Sequence, residues 1–283
     1  MSVYNNKPSR FLAQLPTISA SDPIAGVYCA GFELKKWRCD QLSSHLVEWL
    51  PDYALIEEEL SLTHANAFIK LQQAAVRVYT SPKYKKRGEA GEIALHAVCR
   101  DFFDTVPISP RVFYKSASND PVKSFDLVHA RFPASGGFEL WLGESKLFTN
   151  RNQAVAAAIK SVKNHIEHGF LTNEKILLGP QISKTTPHYD QIMEVFKAQT
   201  SIDKLLQAAV FVVGIAADSD ATKQAAEITD EYVQKAAAEL QGCLKSLTDA
   251  KFTQPLRIAL VYIPLVSKAK LAASFDKRLK GLQ

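Results

Sequence analysis

Residues 138–147, Phe-Glu-Leu-Trp-Leu-Gly-Glu-Ser-Lys-Leu, read as a buried strand with a carboxylate and an ammonium near its end. Side chains of a strand point to opposite faces in turn, so Leu140, Leu142, Glu144 and Lys146 share one face. Two apolar positions there give way to two charged ones. Charges at the end of an apolar strand are costly to bury unless something uses them, as a metal ion and a phosphate would. Residues 122–132 predict a second strand, and Pro133, Ala134, Ser135, Gly136 and Gly137 suit a hairpin between the two. Antiparallel pairing then brings Asp126 close to Glu144.

The same reading covers the rest of the chain. Residues 1–22 carry little pattern, and 24–34 predicts a short strand. Leu42, Leu46, Trp49 and Leu50 have helical spacing that ends at Pro51. After Thr63 a helix places Ala67, Phe68, Leu71, Ala74, Ala75 and Val78 on one side. Over 89–103, Gly91, Leu95, Val98 and Phe102 form an apolar stripe at about 100° per residue. Glu92 borders that stripe and Glu89 lies further toward solvent, which makes Glu92 the better site candidate and Glu89 the secondary one. Strands at 110–115, 209–215 and 256–263 and helices at 152–168, 188–196, 221–247 and 268–282 complete the prediction, the last helix being basic. The fold class is α/β: one globule, with residues 1–80 as a helical elaboration suited to docking a partner and 81–283 carrying the chemistry.

Charge and composition narrow the partners only a little. Lys+Arg 34 against Asp+Glu 29 gives +5, a mild basic balance that permits nucleic acid as a partner. Cys29, Cys39, Cys99 and Cys243 form no CxxC pair, so reduced buried thiols are expected rather than a zinc site or disulfides. A polar N-terminus and the lack of any membrane-length apolar run point to a soluble, cytoplasmic protein without a membrane partner. No GxxxxGK phosphate loop occurs, so nucleotide hydrolysis is not expected of this chain.

Phosphodiester hydrolysis needs a deprotonated water, shielding of phosphate charge and help for the leaving oxygen. A divalent ion such as Mg²⁺ or Mn²⁺, held by a few oxygen ligands, serves the first two needs. Asp126 and Glu144 are the candidate direct ligands, with the Ser145 main-chain carbonyl as a third and Glu92 acting through a water. Lys146 is placed to orient the attacking water or to neutralise developing charge. Lys85, Lys86 and Arg87 form the densest basic run and suit the flanking backbone phosphates of DNA. An E-x-K triplet alone has little specificity, and its plain alternative is an exposed cross-strand ion pair. His96, on the same helix side as the glutamates, is a further candidate. His165 and His168 read as a solvated helix end, and Asp218, Ser219 and Asp220 as a helix N-cap.

With Gly88-Glu89-Ala90-Gly91-Glu92 on a helix, Phe125-Asp126 on a strand and Glu144-Ser145-Lys146 on the next, the chain resembles the PD-(D/E)xK nuclease superfamily. The usual Pro before the first acid is replaced by Phe125. The wider context is similar to the nuclease subunit of the Hachiman anti-phage defence system. That resemblance implies a restriction-endonuclease-like core with a central mixed sheet flanked by helices, metal-dependent cleavage of DNA, and control by a superfamily-2 helicase subunit of the same system. Two other readings compete: a non-catalytic subunit that holds DNA or a helicase, and a housekeeping repair nuclease of the same fold.

Overall fold

The computed structural model describes residues 3–16, 24–79, 88–109, 124–166 and 169–283. The basic run Lys85, Lys86 and Arg87, the strand expected at 110–115, and His168 lie outside the described residues. In chain order the elements are β1 (Ala13–Gln14), β2 (Ile24–Cys29), β3 (Phe32–Glu33), β4 (Lys36–Trp37), α1 (Cys39–Glu48), α2 (Leu50–Ala54), α3 (Ala67–Val78), α4 (Glu89–Phe102), β5 (Val106–Pro107), β6 (Leu127–Arg131) and β7 (Glu139–Phe148). There follow α5 (Arg151–Ile166), α6 (Phe170–Leu178), α7 (Tyr189–Phe196), α8 (Ile202–Ala208), β8 (Ala209–Asp218), α9 (Asp220–Gln224), α10 (Asp230–Thr248), β9 (Ile258–Leu265) and α11 (Lys268–Lys280).

Among the described residues seven strands form one mixed sheet in the order β1-β2-β9-β8-β7-β6-β5. β2, β9, β8 and β7 run parallel, and β6 returns antiparallel to β7 through the expected hairpin. Gly136 and Gly137 have φ of +92° and +80°, a conformation a side chain would strain. β8 is apolar on both faces because helices cover both sides of a central parallel strand. One core joins α1, α2, α3, α4 and α11 to the face carrying Trp141 and Leu147. The other joins α5, α6 and α10 to the face carrying Leu140 and Leu142. Among the described residues no helix is long and apolar enough to cross a membrane, and the four cysteines are free thiols, Cys39 less buried than the others.

Several elements depart from the sequence pattern. Residues before 80 supply β1 and β2 to the main sheet as well as helices. Pro51 does not end a helix: it occupies the first turn of α2, where its missing N–H costs nothing. The helix expected over 221–247 is two helices. The hydroxyls of Ser219 and Thr229 accept from Thr222 N–H and Tyr232 N–H, capping each start. Phe68 faces outward and is 62% exposed. Packing of α3 against α2 uses Ala74, Ala75 and Val78 instead.

Candidate active site

β7 outruns its antiparallel partner. The last Cα pair with β6 is Leu127 with Gly143, whereas pairing with β8 continues to Phe148. Glu144, Ser145 and Lys146 therefore sit where the two strands part. Asp126 lies in the bend just before β6, and its N–H donates to the Gly143 carbonyl at 2.8 Å. Its carboxylate folds back on the neighbouring strand: Ser145 N–H donates to Asp126 Oδ2 at 2.8 Å. The first acid is thus fixed to the peptide between Glu144 and Lys146.

Glu144 is 6% exposed, so an exposed cross-strand ion pair does not describe it. Its two carboxylate oxygens have different neighbours. Lys146 Nζ donates to Oε1, and His165 Nδ1 of α5 stands 3.8 Å from Oε2. His165 is 7% exposed and is no solvated helix end. Its ring stacks on Phe170 at 4.4 Å between centroids and meets Phe125 edge-on at 4.5 Å. Burial holds its pKa below the ordinary histidine value, against the pull of Glu144 and with that of Lys146. Nδ1 is buried and has no hydrogen-bond partner among the described residues.

On the other face of β7 lies α4. A Cβ added at Gly91 would stand 3.0 Å from both Ser145 Oγ and Leu147 Cβ, so only glycine lets the first turn of α4 press this close to the strand. Glu92 Oε2 accepts from Tyr53 of α2 at 2.7 Å. Against the helical-wheel reading, Glu89 is the more buried of the two glutamates, at 9% exposure, and Glu92 is intermediate. α4 is covered almost all round by the sheet, α1 and α2, so a single apolar stripe does not identify its inward side.

His96 belongs to a buried polar network. It is 2% exposed, with Nε2 2.7 Å from Asp52 Oδ1 and Nδ1 3.0 Å from His129 Nε2. His129 Nδ1 is in turn 2.8 Å from Thr105 Oγ1, and Arg100 Nε donates to Asp52 at 3.0 Å. Burial lowers the pKa of both imidazoles, His129 strongly. Neutral rings give the chain one direction: His96 Nε2–H donates to Asp52, His129 Nε2–H to His96, and the Thr105 hydroxyl to His129. This network joins α2 to α4 and β6 behind the strands.

A second carboxylate supports the Asp126 bend. Ser124 Oγ donates to Glu174 Oε2 of α6 at 2.8 Å, and the Phe125 backbone also bonds to it. Burial pushes the Glu174 carboxyl up to about 7, against those two hydrogen bonds. A raised carboxyl contributes stability fully below its unfolded pKa, and that contribution is lost as pH rises through about 7. Glu174→Gln should therefore gain on the wild type by on the order of 2–3 kcal/mol between pH 4 and pH 8. Urea unfolding of both proteins at the two pH values measures this, and a pH-independent difference would refute it. Tyr53, Glu174 and the contact of His165 with Glu144 carry no local sequence signal, since each partner comes from a distant element.

The residues brought together suit a hard divalent ion in part. Two carboxylates and a main-chain group at one strand end match the few oxygen ligands Mg²⁺ takes while keeping its waters. The buried His165 nitrogen beside Glu144, unpartnered among the described residues, is a further donor. Among the described residues no three His, Cys, Asp or Glu side chains are already gathered closely enough to hold a metal ion. Glu92, on the α4 side, does not join Asp126 and Glu144 in such a group.

A sequence profile of the HamA family matches residues 11–279. The chain belongs to the HamA family. A curated relative is Anti-bacteriophage protein A of Escherichia coli (strain K12), 27% identical over 124 residues, which are 44% of this chain. The chain spans only 23% of the length of that curated relative. No solved structure matches. The matched span includes Asp126, Glu144, Lys146 and His165.

Proposed function

We propose that this chain is a metal-dependent DNA endonuclease acting in anti-phage defence. The observation that carries the reading is the junction of β6 and β7, where the Asp126 carboxylate binds the peptide N–H lying between Glu144 and Lys146. A binding protein has no need to collect an aspartate, a buried glutamate and a lysine at one strand end. The element order α4, β5, β6, β7, α5, β8 supports a restriction-endonuclease-like core, and the name of the Escherichia coli relative supports the defence role.

In this reading Asp126 and Glu144 would hold Mg²⁺ or Mn²⁺ with the Ser145 carbonyl, and a bound ion would supply Lewis acidity and charge neutralisation at the scissile phosphate. Ser145 N–H fixes the Asp126 carboxylate, which removes the cost of ordering it when substrate arrives. Lys146, with its ammonium already on Glu144, orients the attacking water and offsets charge that develops on the phosphate. Tyr53 steadies Glu92 on the α4 side.

A superfamily-2 helicase is the proposed partner, because the chain has no nucleotide loop with which to gate itself. The outer side of α3 supports a docking role for the N-terminal helices: Phe68, Ile69 and Val76 are 62%, 54% and 59% exposed. Exposed apolar side chains gathered on one element mark contact surfaces.

Purified protein incubated with supercoiled plasmid and Mg²⁺, alone and with the candidate helicase, tests the proposal. Nicked or linear product is expected in at least one condition, and none in any condition would leave the non-catalytic reading. Lys146→Ala should lower turnover about a hundredfold or more while metal and DNA binding stay within about twofold. Loss of metal affinity in step with turnover would make Lys146 structural.

A further inference from the structure

We propose that His165 is itself a ligand of the site, binding a divalent ion through Nδ1 beside Glu144 Oε2, and that this nitrogen makes the site select Mn²⁺ and its transition-metal neighbours over Mg²⁺. The inference rests on the metal-dependent reading above and adds to it the donor that sets the choice of ion.

The argument starts from an unsatisfied atom. A buried imidazole nitrogen without a partner forfeits its hydrogen bond to water, and native proteins rarely leave one so. Among the described residues His165 Nδ1 is such an atom, in a ring clamped by Phe125 and Phe170. The two aromatic contacts leave the ring little freedom to turn elsewhere. What it faces is Glu144 Oε2, at 3.8 Å. That gap is too long for a hydrogen bond. It fits two donors on one ion, since bonds of about 2.0–2.2 Å place neighbouring ligand atoms about 3–4 Å apart.

The division of the Glu144 carboxylate points the same way. Oε1 is taken by Lys146, the partner expected of a catalytic lysine, whereas Oε2 is turned to the histidine. The identity of the ion follows from the donors. Mg²⁺ takes oxygen and binds imidazole weakly, whereas first-row transition ions bind a mixed nitrogen and oxygen set well.

Electron paramagnetic resonance on the full chain with Mn²⁺ as the probe tests this, because the ion reports directly on a bound nitrogen. Wild-type protein should bind Mn²⁺ with nitrogen modulation in the pulsed spectrum, which changes to the ¹⁵N pattern when histidine is ¹⁵N-labelled. His165→Phe keeps the aromatic packing, and should lose the modulation and about tenfold or more of Mn²⁺ affinity, while Mg²⁺ affinity measured by competition changes by less than about threefold. If the variant does not fold, the labelled wild-type spectrum decides alone. Mn²⁺ that is bound, is lost in Asp126→Asn, and shows no histidine nitrogen overturns this inference and leaves the metal site standing. No bound Mn²⁺ in folded wild-type protein overturns both.

Discussion

Glu144→Gln is expected to give a folded protein that cuts DNA at least about a thousandfold more slowly than the wild type. Glu144 meets the proposed ion, Lys146 and His165 at once, so the loss of its charge removes a ligand and unseats the lysine together. Metal-borne stabilisation of transition-state charge is worth several kcal/mol, and each 1.36 kcal/mol is about tenfold in rate. Stability should change by less than about 1 kcal/mol. The side chain of Lys146 is 18% exposed, so its ammonium reaches water once the carboxylate is gone. Cleavage rates and melting temperatures measured on one preparation separate the two effects. A folded Glu144→Gln that cuts at the wild-type rate would remove the site from this strand end.

Asp52→Ala should have the largest effect on stability, a loss of about 3–5 kcal/mol. Asp52 is 5% exposed and is the common acceptor for His96 and Arg100, themselves 2% and 4% exposed. Truncating it leaves a guanidinium buried without its counter-charge, which costs more than the intact pair contributes. Arg100 keeps the Thr105 carbonyl at 2.7 Å, which limits the loss. A fall in melting temperature on the order of 10 °C is expected, and one under about 2 °C would show that the network is not holding α2 to α4. Burial pushes the Asp52 carboxyl up, but the His96 hydrogen bond and the Arg100 charge outweigh it and hold it below its ordinary value. His96 and His129 are held low by burial. All three depressed groups contribute stability above their unfolded pKa values and lose it as pH falls. Wild-type stability should therefore decline below about pH 6.5 through the histidines and again below about pH 4 through Asp52.

The sequence by itself determined what depends on short-range periodicity and backbone chemistry. A period of two placed Glu144 and Lys146 on one face of β7, and the glycines at 136 and 137 placed the hairpin that returns Asp126 to that strand end. Helical spacing located α4 to within a residue of its observed end, and Ser219 was readable as a cap because its hydroxyl bonds three residues on. Tertiary structure decided what depends on which elements pack together. α4 is enclosed by helices as well as the sheet, so Glu89 is buried although the wheel turns it outward. His165 meets Glu144 only because α5 crosses back over the face of β7 on the way to β8. The link from Asp52 through His96 and His129 to Thr105 draws on α2, α4, β6 and the turn before β5. A buried polar atom is satisfied by whatever distant group the fold delivers to it, and spacing along the chain carries no record of that partner.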